Sequence, residues 1–314
     1  MTSAGRIGIF EAIAGRPRLA ALLGASCIAF SGIFYRYAAV SPSTATVFRC
    51  LYGLPLLALV AWLEWRRYGA LPRATLGLAA VAGVFFAGDL TFWHHSIEAV
   101  GAGLSTVLGN LQVLVVGLVA WLFLGERPSR AVLVALPVVL VGVVLISGLV
   151  GSGAYGANPV LGVVFGLVTA VCYSGYLLVI RRSGRDLTRP VTPVAVATAA
   201  TAGVALLVGV PLGDLRLEPT WPAHGWLLLY GVTSQFLGYV LISLSLPRLP
   251  AVVTSVILLA QPVMSVALAM VLLAETPSGL QLLGVALVVG GIAIATVPLA
   301  RIRGVLAPAT TPSP

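Results

Sequence analysis

Long apolar runs separated by short polar clusters govern the whole chain. A helix that crosses a bilayer needs about 20 mostly apolar residues. Runs of that kind fall near 19–39, 44–63, 75–97, 101–124, 129–148, 159–181, 191–211, 222–245, 251–274 and 278–299. The pattern predicts an all-α integral membrane protein with ten transmembrane helices. The connections are short, and none is long enough to hold a domain. The first apolar run follows Arg6, Arg16 and Arg18 and is longer than the apolar centre of a cleaved signal. It therefore reads as span one, behind a cytoplasmic N-terminal segment, residues 1–18. Residues 300–314 end in Ala, Thr, Pro and Ser and read as a disordered cytoplasmic tail.

The polar clusters carry the orientation, because Arg concentrates on the cytoplasmic side of membrane proteins. Alternate connections differ sharply. One set, with the termini, holds Arg66, Arg67 and Arg73, then Arg127 and Arg130, then Arg181, Arg182, Arg185 and Arg189, then Arg248, and finally Arg301 and Arg303. The opposite set holds only Arg216, while Arg36 and Arg49 lie within spans or at their ends. Both termini are expected in the cytoplasm, which requires an even number of spans.

The pattern also repeats. Residues 103–142, shifted by 149, fall on 252–291 with ten identities. Gln112 meets Gln261, Glu126-x-Pro128-Ser129 meets Glu275-x-Pro277-Ser278, and Gly142 meets Gly291. A shorter echo links Ser31-Gly32 to Ser174-Gly175. Each half has five spans, an odd number, so the halves thread the membrane in opposite directions. The domains expected are a first five-helix repeat over 19–148 and a second over 159–299. Inverted repeats are the usual construction of secondary transporters, with a solute site near the midplane.

Composition agrees with this picture. The chain is 59% hydrophobic and only 9% charged, against roughly 25% charged in soluble domains. Its net charge of +9 comes from Arg alone, nearly all of it in loop clusters. No basic face forms, so no nucleic-acid partner is expected. Cys27, Cys50 and Cys172 lie inside apolar runs at unrelated spacing, which fits packing rather than redox or zinc chemistry.

Several of these features resemble the EamA-type transporters of the drug/metabolite transporter superfamily. They are the ten spans, the duplication, Glu-x-Pro after spans four and nine, Ala45-Thr46-Val47-Phe48-Arg49 opening span two, and Gln261-Pro262 inside span nine. In the first half Val113 stands where a Pro would be typical, so a kink in span four does not follow. The resemblance extends from about residue 19 to 299. It implies a carrier of small metabolites, amino acids or drugs that does not hydrolyse ATP.

Ionisable groups inside a bilayer cost about 2.5–3.5 kcal/mol each and mark functional sites by default. Asp89 lies near the middle of span three, and Arg49 about one turn inside span two. At about 1.5 Å per residue both lie roughly 8–12 Å below the outer edge. They are expected to pair, or to line one water-filled cavity, binding substrate or protons. A structural ion pair is the alternative. Trp93 shares the Asp89 face, and an aromatic there can hold a cationic solute. Tyr173 and Tyr176 in span six, and Gln112 and Gln261 in spans four and nine, are further candidates for the cavity wall, with plain helix packing as the alternative. His94 and Glu98 share a helix face as metal ligands can, but lie at the outer edge, where such residues are simply solvated; no metal is expected. Glu126 and Glu275 each precede a Pro-Ser that starts the next span, where a carboxylate faces the positive end of that helix.

Other classes lack their signatures. Gly103-Leu104-Ser105 is the nearest approach to a serine nucleophile motif and lacks the closing Gly. No metalloprotease or nucleotide-binding motif occurs, and no charged or carbonyl-lined channel segment. The reading is a transporter of the cell membrane, not an enzyme, without cofactors, carrying a small molecule by alternating access. Export coupled to protons is the expectation. An intramembrane enzyme or a channel is the alternative. Substrate and oligomeric state stay open.

Overall fold

The computed structural model describes residues 16–124, 130–184, 186, 188–245, 249 and 251–296. Among these residues the chain makes ten apolar helical passages: six long enough to cross a membrane and four shorter ones. They are α1 (Pro17–Ala38), α2 (Pro42–Tyr68), α3 (Arg73–Val100), α4 (Ala102–Gly109 continuing as Gln112–Leu124), α5 (Arg130–Ile146), α6 (Pro159–Ser183), α7 (Thr192–Leu212), α8 (Ala223–Ser245), α9 (Ala251–Leu272) and α10 (Gly279–Thr296). Each falls within a few residues of an expected span. Prolines occupy the first turns of α1, α2, α6 and α7, where their missing N–H has no partner to lose.

The two five-helix repeats do not form separate bundles. Close helix pairs join opposite halves: α3 with α6, α5 with α10, α2 and α3 with α7, and α1 with α8 and α9. Small residues permit this close approach, as is usual in lipid. A Cβ on Gly83 of α3 would run into the carbonyl oxygen of Ala197 on α7. The outward faces are apolar and open, with Val271, Leu207 and Val210 at 79%, 76% and 69% exposure. Lipid covers such surfaces.

Carboxylates stitch the halves together at helix ends, and here the structure corrects the sequence reading. Glu275 does not serve the helix that follows it. It accepts from the backbone N–H groups of Ala102 (2.6 Å) and Gly103 (3.2 Å), the first turn of α4 in the other half. Glu64, in the last turns of α2, accepts from Val191 N–H, Thr192 N–H and the Thr192 hydroxyl at 2.9, 2.8 and 2.5 Å, capping α7. Asp214, just past α7, accepts from Ser43 N–H at 3.3 Å, capping α2. Each carboxylate meets unpaired N–H groups at the positive end of a helix from the opposite repeat. Helices α2 and α7 are thus fastened at both ends. Glu126 lies outside the described residues.

Three passages are irregular. Helix α1 loses its regular bonding at Phe30 and resumes at Ser31. Helix α4 is interrupted at Asn110–Leu111, although its sequence has no proline there. Helix α8 carries a π-helical stretch, Gly231–Gly238. All three irregularities lie beside one internal cavity.

Candidate functional site: a polar cavity between the halves

A cavity, partly open to the surface, lies within the helix bundle. Its wall takes residues from α1, α2, α3, α4, α6, α8 and α9, so both repeats contribute. Arg49 and Asp89 supply the charge, Trp93, Tyr173 and Tyr239 the aromatic surface, and Asn110 and Gln261 the amides.

Arg49 is 2% exposed and held from two directions. Its Nε donates to Gln235 Oε1 at 2.8 Å, and its Nη1 donates to the Tyr230 hydroxyl at 2.7 Å. The guanidinium also lies 4.6 Å from the Tyr230 ring centre and 5.6 Å from that of Phe86. Tyr230 and Gln235 are five residues apart, which on an ordinary α-helix would turn them about 140° from one another. The π stretch of α8 closes i to i+5 hydrogen bonds and so brings residues five apart to one side. Gln235 passes the restraint on, donating through Nε2 to the Thr198 hydroxyl on α7 at 2.8 Å. Glycines admit this contact: a Cβ on Gly231 would lie 2.8 Å from the Arg49 carbonyl oxygen.

His94 completes the support. It is fully buried, not solvated as its place near a span end led us to expect. Thr46 gives its one hydroxyl proton to the Pro42 carbonyl, so the His94 Nδ1 at 3.0 Å must donate to Thr46. That leaves Nε2 as acceptor, 3.1 Å from the Tyr230 hydroxyl, which in turn accepts from Arg49. The Thr46, His94 and Tyr230 donors are all matched with the imidazole neutral. His94 is therefore a fixed support for Tyr230, and Glu98 pairs instead with His95 (3.6 Å) and the Tyr35 hydroxyl (2.9 Å). Among the described residues no three His, Cys, Asp or Glu side chains cluster as metal ligands do. Ser105 Oγ donates to the Trp93 carbonyl at 3.3 Å, a helix-packing bond.

Asp89 differs from Arg49. It is 7% exposed, and no hydrogen bond or ion pair holds its carboxylate among the described residues; its backbone carbonyl alone receives a bond, from Thr169. Asp89 and Arg49 line one cavity but form no direct ion pair. Of the seven candidates from sequence, Asp89, Arg49, Trp93, Tyr173 and Gln261 stand on the wall. Tyr176 stands behind it, stacked 4.6 Å from Phe86 and 5.7 Å from Tyr173. Gln112 is buried, and its backbone carbonyl lies 3.1 Å from the Ser174 hydroxyl. Sequence reasoning missed Tyr230, Gln235, Ser31 and Asn110, and read His94 as solvated. Ser31 had one visible signal, its echo in Ser174.

These features define a multi-pass membrane transporter of the inverted-repeat kind. The EamA-like transporter family matches twice, over residues 17–148 and 160–297, and the chain belongs to that family. It is 30% identical over 249 residues to a pseudopaline exporter of Pseudomonas aeruginosa, covering 78% of this chain and 82% of the exporter. An uncharacterized transporter of Archaeoglobus fulgidus is 27% identical over 283 residues, covering 83% of this chain and 94% of that one. A crystal structure with 22% identity superposes with a TM-score of 0.60, covering 94% of this chain and 99% of that chain, and shares the fold.

Proposed function

We propose that this chain is a secondary transporter that exports a small polar metabolite across the cell membrane, with both termini in the cytoplasm, by alternating access coupled to protons. One observation carries the reading. A buried carboxylate, Asp89, faces a cavity between inverted halves with no partner among the described residues. An unpaired charge at such depth costs several kcal/mol unless a ligand or proton meets it.

The two groups have different parts. Arg49 is fixed by Gln235 and Tyr230, yet those bonds use only two of its five N–H donors. The remaining fork is the anchor for an anionic group of the solute. Asp89 is the exchangeable position, filled by a proton or by a cationic group. If the two compete there, protons entering from one face displace solute toward it. The interrupted helices α1, α4 and α8 put their irregular backbone against the cavity, where a membrane tolerates it. The likeness to a named exporter favours export.

The test is flux from proteoliposomes loaded with a mixture of small amino acids and other polar metabolites, read by mass spectrometry under an imposed pH gradient. The chain should release a subset of the mixture, faster with external acid, and Asp89→Asn should abolish the gradient's effect. An Asp89→Asn protein that exports at the original rate with the original pH response would remove Asp89 from the mechanism.

A further inference from the structure

We propose that Ser31 and Asp89 together seat a protonated primary or secondary amine of the transported solute. The proposal rests on the reading of the cavity as the solute site and adds which chemical group goes where.

Ser31 and its echo Ser174 begin from equivalent places in the repeat but end differently. Ser174 Oγ donates to the Ala170 carbonyl, four residues back in its own helix, at 2.6 Å. The same bond for Ser31 would go to Cys27. That carbonyl already accepts from Ser234 on α8 at 3.1 Å, and α1 is interrupted at Phe30. The Ser31 hydroxyl is left buried, 2% exposed, with no partner among the described residues. It lies on the wall of the same cavity as Asp89.

A third acceptor stands with them. Asn110, at the interruption of α4, donates its Nδ2 to the Thr106 carbonyl at 2.8 Å. Its amide oxygen remains, and the residue lines the cavity. A carboxylate, a hydroxyl and an amide oxygen are all acceptors, and an ammonium group carries two or three N–H donors to satisfy them. Arg49 is a permanent donor on the α2 side, so an amine turns away from it and toward α1, α3 and α4. Trp93 and Tyr173 on the wall add attraction for a cation through their ring faces. A quaternary ammonium would keep that attraction but has no N–H, leaving Ser31 unpaired. Sites built for hydrogen bonding reject analogues that lack the bond.

The experiment titrates the full chain in lipid nanodiscs with benzylamine, benzyltrimethylammonium and benzyl alcohol by calorimetry. Benzylamine should bind saturably, at least about tenfold tighter than either analogue, since a hydrogen bond to a charged group contributes that much. Ser31→Ala should weaken benzylamine about tenfold while leaving benzyltrimethylammonium and the melting temperature unchanged, and Asp89→Asn should abolish benzylamine binding. Equal affinity for benzylamine and the quaternary ion, unaltered binding by Ser31→Ala, or no saturable benzylamine binding would each overturn the seat. Flux of the polar-metabolite mixture from loaded proteoliposomes separates the two readings. Selective binding without flux overturns the transporter reading alone. Flux without preference for N–H donors overturns the amine seat alone.

Discussion

Replacing Glu64 by Ala tests the crossed caps that fasten the halves. Glu64 is 9% exposed, and its carboxylate accepts three hydrogen bonds from the start of α7. Alanine leaves the Val191 and Thr192 N–H groups without partners at the first turn, where no intrahelical acceptor exists. The Thr192 hydroxyl can rotate toward another acceptor, so its loss counts little. Two bonds to a charged acceptor contribute about 1.5–3 kcal/mol each. Removing the carboxylate also relieves its own burial, which offsets part of this. The net expectation is a loss of about 2–4 kcal/mol. For a chain of this size that lowers the melting temperature by roughly 3–6 °C. Glu64→Gln keeps one amide oxygen and should lose about half as much. The assay is thermal unfolding in nanodiscs, with hydrogen exchange at Val191 and Thr192 read in parallel. Exchange there should rise in Glu64→Ala before the rest of the chain opens. A Glu64→Ala protein that melts within about 1 °C of the original, with unchanged exchange at both amides, refutes the capping argument.

Three further outcomes follow from named contacts. Gly83→Ala forces a methyl into the Ala197 carbonyl and should cost about 1–3 kcal/mol, whereas Gly77→Ala, with nothing within 4 Å, should be neutral in the same melting assay. Gln235→Met strips the Nε partner from Arg49 and should weaken solute binding about tenfold, measured by calorimetry; unchanged affinity would mean that Arg49 needs no fixing. Burial lifts the Glu275 carboxyl above the ordinary glutamate range, outweighing the two N–H bonds it accepts and the nearby Arg36. A folded value above the unfolded one means that the folded chain holds the proton more tightly, so stability falls as pH rises through that window. Melting temperatures of the original chain should therefore decline against those of Glu275→Gln as pH rises above the ordinary glutamate range; parallel curves contradict this.

The spans were legible because a bilayer imposes both length and apolarity on every crossing helix. Pro42, Pro159 and Gly213 stand at helix ends in the structure. Asp89 and Arg49 stood out because charge at that depth is rare. Tyr230 and Gln235 did not, because their joint grip on Arg49 depends on a π turn that no residue type announces. His94 was misplaced for a related reason: its depth along α3 suggested solvent, but Thr46 and Tyr230 cover it from neighbouring helices. The crossed caps had a faint trace. Carried on by the 149 residues of the repeat, Glu64 falls one position short of Asp214. That pairing has meaning only once α2 and α7 are seen side by side.

The central claim is that one cavity, shared by inverted halves, is reached in turn from both faces of the membrane. A single cysteine at Gln261, on the cavity wall, tests it most directly in a chain whose Cys27, Cys50 and Cys172 are replaced. In sealed vesicles of each orientation, a membrane-impermeant thiol reagent should modify that cysteine from either side, and transported solute should slow both reactions. Modification from one side only, whatever the solute or pH, would contradict the account.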